Sequence, residues 1–144
     1  MKVKNIGIKV TKPADKCKDD NCPFHGKLRC RGRIFTGTIV SVKMQKSAIV
    51  EWEYRQFLKK YERYEKRGSR VKVHNPACIN ASEGDVVKIM ECRPLSKTKN
   101  FVIVEILGKE KGFKERMEAE EEAKFRKEVK KDEEQTDARE EVAV

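Results

Sequence analysis

The side chains of this protein best suited to chemistry lie in CKDDNCPFHGKLRC, from Cys17 to Cys30. Four residues separate Cys17 from Cys22, two separate Cys22 from His25, and Cys30 closes the stretch. Those spacings are permitted for a tetrahedral zinc site, in which thiolates and an imidazole close the shell around one ion. Little else looks reactive. With two histidines in the chain, the sequence offers no nucleophile–base set, phosphate loop or carboxylate pair, so an enzyme is not expected. Gly84-Asp85 and Gly68-Ser69 read as turns.

What the cysteines are for depends on the elements that hold them. Charged residues make up 40% of the 144 residues and apolar ones 38%, so any core is small. The charge is uneven. Residues 1–108 carry 24 Lys/Arg against 11 Asp/Glu, a net of +13, and residues 109–144 carry 10 against 13, a net of −3. A compact domain so basic repels itself unless a polyanion sits against it. Nucleic acid fits, because neutralising phosphates releases counterions and gives strong, salt-sensitive affinity. A membrane partner would require a basic amphipathic helix or an apolar anchor, and residues 1–108 suggest neither. The opening MKVKNIGIKV builds no signal-peptide run. Reduced thiols in a cytoplasmic protein are therefore the expectation for the five cysteines.

Five segments read as strands: residues 33–42, 47–54, 70–74, 86–92 and 101–107. Gly37 inside the first marks a bulge or bend of the kind small barrels need. Asn75-Pro76 and Glu83-Gly84-Asp85 are turn signals, and Pro94 is expected to end a central strand. The fold class expected is all-β, a five-stranded OB-fold (Greek-key) barrel over 31–108. An N-terminal extension covers 1–30. A charged tail, helical or disordered, covers 109–144, with pairs such as Glu120–Lys124 supporting a helix. Between Phe57 and Ser69, the spacing of Phe57, Tyr61 and Tyr64 suggests a short helix packing its rings on the barrel. The same stretch also reads as a basic arm reaching into RNA.

GDVVKIMECRPLSKTKNFVIVEIL, from Gly84 to Leu107, resembles the signature of the small-subunit ribosomal protein seventeen family. RGRIFTGTIVSVKMQKSAIV, from Arg31 to Val50, resembles that family's first hairpin, and YERYEKRGSRVKVHNP, from Tyr61 to Pro76, its basic arm. NCPFHGKLRCRG upstream is similar to the archaeal and eukaryotic branch, with His25 favouring the archaeal side. The resemblance implies an OB-fold barrel that binds the 5′ domain of 16S ribosomal RNA and aids subunit assembly. It also implies neighbours among other small-subunit ribosomal proteins, a cytoplasmic location in that subunit, no cofactor and no small-molecule substrate. The alternative is a non-ribosomal OB-fold translation factor or RNA chaperone.

The residues expected on RNA are mostly cationic, and their contacts should fix position on phosphate and sugar more than read sequence. Lys27, Arg29, Arg31 and Arg33 lead into the first strand, and Lys43 and Lys46 flank its hairpin turn. Arg55, Lys59, Lys60, Arg63, Lys66, Arg67 and Arg70, with Lys72 beyond, form the densest basic run. His74 could donate to RNA or be satisfied within the fold. Arg93, Ser96, Lys97 and Lys99 ring the last turn, although Arg93 could instead pair with Glu91 or Glu83. Cys78 and Cys92 read as small apolar residues. In that setting a barrel needs no metal staple, so the expectation is an RNA-facing lead-in with no metal. Zinc on Cys17, Cys22, His25 and Cys30 stays open as the alternative.

Overall fold

The computed structural model describes residues 4–119, 121–123, 125 and 126. The chain divides into one unit ending at Glu110 and a second beginning at Lys111. The first holds five strands: β1 (Cys30–Ser41), β2 (Ser47–Leu58), β3 (Arg63–His74), β4 (Asp85–Ser96) and β5 (Lys99–Lys109). They pair in the order β1-β2-β3-β5-β4 and close into a barrel. β3 and β5 run parallel, and every other neighbouring pair is antiparallel. This is the five-stranded OB-fold arrangement expected from the strand pattern.

Closure rests on β1, which serves two partners. Ile34 to Thr38 pair with β4, while Thr38 to Ser41 pair with β2. The strand bends where it passes from one to the other, and Gly37 sits at the bend. A Cβ there would stand 2.6 Å from the Glu51 carbonyl oxygen and 2.8 Å from Val50 Cγ1. Only glycine lets β1 lie this close across β2.

Inward-facing residues from each strand fill the barrel: Ile39, Ala48, Val50, Val73, Val87, Ile89 and Ile103, with Ala81 from the β3–β4 link. At one mouth Phe35 stacks on Trp52 (centroids 4.9 Å apart, planes 13°) and meets Phe101 edge-on at 5.9 Å. In the β3–β4 link the buried Asn75 amide satisfies backbone that no strand serves. Its Nδ2 donates to the Ala81 carbonyl (3.0 Å), and its Oδ1 accepts from the Ala81 N–H (3.2 Å).

The strands exceed the segments that alternation marks, because exposed continuations carry no apolar signal. Pro94 lies inside β4, at the register break between Glu91 and Ser96. The largest departure is residues 57–69, where no surface helix forms. β2 continues to Leu58, a 3-10 turn covers Lys59–Tyr61, Glu62 adopts φ 51°, and β3 begins at Arg63. Phe57 and Tyr64 are opposed across two strands. Their helix-like spacing comes from a turn set between them.

The segment before β1 is part of the unit. Cys22, Phe24 and Leu28 pack on Met90, Cys92, Val102 and Val104, which face away from the barrel interior on β4 and β5. Further back, Thr11 donates from N and from Oγ1 to Glu105 Oε1, both at 2.8 Å. In the second unit residues 113–119 are helical, and an exposed Glu122–Arg126 pair spans 3.6 Å. The Glu120–Lys124 pair lies outside the described residues.

Gly37→Ala should destabilise the barrel by about 1–3 kcal/mol, the usual cost of an overpacked site, measured by thermal or urea unfolding. A melt at the native temperature would mean β1 need not pass so close. The Thr11 hydrogen bonds, with burial opposing and Lys88 assisting, hold the Glu105 carboxyl below its ordinary 4.5. This contribution is complete above that value and lost as pH falls through the lowered one. Thr11→Val should therefore cost stability at pH 7 and progressively less under acid. Equal costs at both pH values would remove Glu105 from the account.

Candidate nucleic-acid interface

Beyond Glu51, β2 leaves β1 behind and pairs only with β3, so residues 53–58 and 63–68 stand off the barrel as a two-stranded arm. Such a hairpin has only its own cross-strand pairs for support. On one face Arg55 lies directly opposite Lys66 and Phe57 opposite Tyr64. Like charges so placed repel, and an anion between them relieves the cost. The rings are 5.1 Å apart, yet Phe57 is 47% exposed and Tyr64 71%. Tyr61 at the tip is 64% exposed with Lys60 Nζ 5.4 Å from its ring centre. Lys59, Lys60 and Arg63 are exposed around it. Ion pairs with Glu53, Glu65 and Glu51 hold Lys66, Arg67 and Arg70. They orient these side chains along the arm and, being exposed, add little stability.

A second group gathers at the other end of β2. Lys99 Nζ donates to Ser47 Oγ (3.0 Å), joining the β4–β5 turn to the start of β2, and Lys72 pairs in register with Lys99. Lys43, Lys46, Lys72 and Lys97 are exposed there. Ser96 Oγ accepts from the backbone N–H of Thr98 and of Lys99, so it shapes the turn. Arg93 is exposed on β4 without a carboxylate partner among the described residues. Glu91 instead accepts the Arg33 N–H, and Glu83 the Val42 N–H.

The third group lies on the N-terminal segment. Lys27, Arg29, Arg31 and Arg33 are exposed. The first three, joined by Lys4, line a groove of about 840 Å³ with no acidic residue on its wall among the described residues. Lys4 carried no motif. It arrives because its N–H donates to the Phe24 carbonyl (2.9 Å) and its Nζ to the Gly26 carbonyl (2.7 Å).

His74 does not belong on this surface. It is 3% exposed, and its Nε2 lies 2.8 Å from Asp19 Oδ2 inside the fold. The cysteines also sort differently from their order in the chain. Cys30 pairs with Cys92 across β1 and β4, and burial, with Cys92 and Cys22 nearby, pushes its thiol up to about 12. Cys78, expected to be a plain apolar residue, joins Cys17, Cys22 and His25 instead. Burial raises the Cys17 thiol, but hydrogen bonds from the Asp19 backbone and neighbouring thiols leave it below its ordinary value. Burial holds Cys22 and Cys78 above theirs.

Substituting Phe57 and Tyr64 together by alanine should cost less than about 1 kcal/mol of stability, the scale of one cross-strand pair. It should also weaken single-stranded RNA binding by about 1–3 kcal/mol per base stack lost. A large fall in the melt with unchanged binding would make these rings structural.

Residues 37–105 match the sequence model of the family described as ribosomal protein S17. The chain is 58% identical over 104 residues to small ribosomal subunit protein uS17 of Methanopyrus kandleri, covering 72% of this chain and 88% of that one. It is 53% identical over 109 residues to the protein of that name from Methanocaldococcus jannaschii, covering 76% and 93%. For Methanoculleus marisnigri the figures are 55% over 104 residues, 72% and 96%.

Proposed function

The chain belongs to the ribosomal protein S17 family, and from that premise we propose that its barrel positions three basic surfaces on 16S ribosomal RNA. It is a structural component of the small ribosomal subunit, in the cytoplasm, and not an enzyme. It associates there with ribosomal RNA and other ribosomal proteins.

In this reading the arm enters RNA. Arg55, Lys59, Lys60, Arg63, Lys66, Arg67 and Arg70 meet phosphates, while Phe57, Tyr61 and Tyr64 stack on unpaired bases. Lys43, Lys46, Lys72, Lys97 and Lys99 with Arg93 hold a second RNA segment at the other end of β2, and Lys27, Arg29, Arg31 and Arg33 a third. Such contacts fix the register of the RNA and leave specificity to its shape. Gathering strands of the 5′ domain on one rigid barrel would favour the folded RNA during assembly. The observation that carries the reading is the opposition of Arg55 and Lys66 on an arm outside the barrel. Glu53 already pairs with Lys66, and a bound polyanion would serve Arg55 and the exposed cations of the tip.

Two measurements test this. The protein should stay with small subunits through a high-salt wash, whereas a transient translation factor or RNA chaperone would be stripped and would bind arbitrary single strands equally well. Arg93→Ala with Lys97→Ala should weaken binding to a 5′-domain fragment and lower the salt slope by about one unit per lost phosphate contact. An unchanged slope would take both residues off the RNA.

A further inference from the structure

The RNA-binding surfaces leave one group of side chains unexplained, the cluster of Cys17, Cys22, His25 and Cys78. Their ligand atoms all lie within 4.8 Å of one another. Cys22 Sγ is 3.6 Å from Cys78 Sγ, and His25 Nδ1 is 3.5 Å from Cys17 Sγ and 3.7 Å from Cys22 Sγ. A tetrahedral zinc with Zn–S of about 2.3 Å and Zn–N of about 2.0–2.1 Å has S···S edges of about 3.8 Å and S···N edges of about 3.5 Å. The observed separations match both kinds of edge. The three cysteines are free thiols.

The surroundings are built for such a shell. Cys17, Cys22 and Cys78 are buried. The ring of His25 finds no oxygen. Its Nδ1 faces two sulfurs, and its Nε2 is buried without a hydrogen-bond partner among the described residues. Backbone N–H groups serve the sulfurs, with His25 N donating to Cys22 Sγ at 3.4 Å, an arrangement that stabilises thiolate. The loop is closed by Gly26, whose N–H donates to the Cys22 carbonyl (2.9 Å). A Cβ on Gly26 would stand 2.3 Å from the Asp20 carbonyl oxygen, so the turn tolerates no side chain. Asp19, inside the loop, reaches His74 Nε2, four residues before Cys78. That contact holds the end of β3, just before the link that carries Cys78, against the loop independently of any ion.

We infer that Cys17, Cys22, His25 and Cys78 bind one structural zinc ion, which fastens the N-terminal segment to the β3–β4 link. Three thiolates and an imidazole complete the tetrahedron, leaving no open position for catalysis. Soft sulfur ligands select zinc over magnesium or calcium, and sulfurs this close bracket a single ion rather than a cluster. Binding releases the three thiol protons to solvent, so loading weakens as pH falls. Cys30 is not a ligand. The ligand set replaces it with Cys78, which lies 56 residues from Cys22.

The test uses the full chain, purified under reducing conditions without added chelator. Elemental analysis should find about one zinc per chain, as expected of a closed four-ligand site. Cobalt added to the stripped chain should give the visible absorption of a tetrahedral thiolate site. Cys78→Ser should abolish loading and Cys30→Ser should retain it. Chelator should lower the melting temperature of the wild type and of Cys30→Ser while leaving Cys78→Ser unchanged. Should the serine variant fail to fold, cobalt titration of the wild-type chain decides alone. Absence of zinc together with no tetrahedral cobalt spectrum overturns the proposal, as does loss of the metal in Cys30→Ser with retention in Cys78→Ser. None of these readouts involves RNA, so the zinc and RNA readings stand or fall separately.

Discussion

The architecture depends on one strand pairing on two sides. β1 joins β4 through its first part and β2 through its last, and the bend between them passes so close to β2 that position 37 has no room for a Cβ. Without that crossing, the antiparallel pairs would stay an open sheet with exposed edges. With it, a ring of five strands closes around a core of valines and isoleucines. A small closed barrel buries its apolar residues compactly, and most of its surface is left for charge.

That surface explains the division of labour. A net charge of +13 over residues 1–108 opposes compaction, and the fold moves much of it outward. Most basic residues of the arm lie beyond the ring, on the outer segments of β2 and β3, which pair there with each other. Lysines crowd the turns at the opposite end of β2. The barrel is a frame whose stability comes from its interior, while the arm and turns hold the charge that, in the proposed reading, RNA would offset. The exposed cations and the buried core are thus separated in space, and the rings of Phe57 and Tyr64 can stay exposed without weakening the core.

Much of this was legible in the residues, for physical reasons that also mark where legibility ended. Alternation in SAIVEWEY and FVIVEIL reports one face turned to a core, so the five strands could be read wherever such a core exists. It went silent along the arm, which has no buried face, and there the spacing of Phe57, Tyr61 and Tyr64 imitated a helix. The resemblance over Arg31 to Leu107 supplied the family that the relatives establish. His74 looked available because nothing near it in sequence announces Asp19, its partner 55 residues away. Cys30 looked like the fourth member of the cysteine cluster because it is near in the chain. Cys78 is near only in space, delivered by the turn that follows β3. Local pattern found the elements, and long-range contacts assigned the chemistry.

Amide hydrogen exchange, read residue by residue on the free chain and on the chain bound to small-subunit ribosomal RNA, tests the division between frame and arm most directly. Amides of Ile39, Val50, Val73, Ile89 and Ile103 should exchange slowly in both states. Those of residues 54–57 and 64–67 should exchange fast in the free chain and slow sharply on RNA, since local stability follows buried support. Arm amides as protected as the barrel before RNA is added, and unchanged after it, would contradict the account.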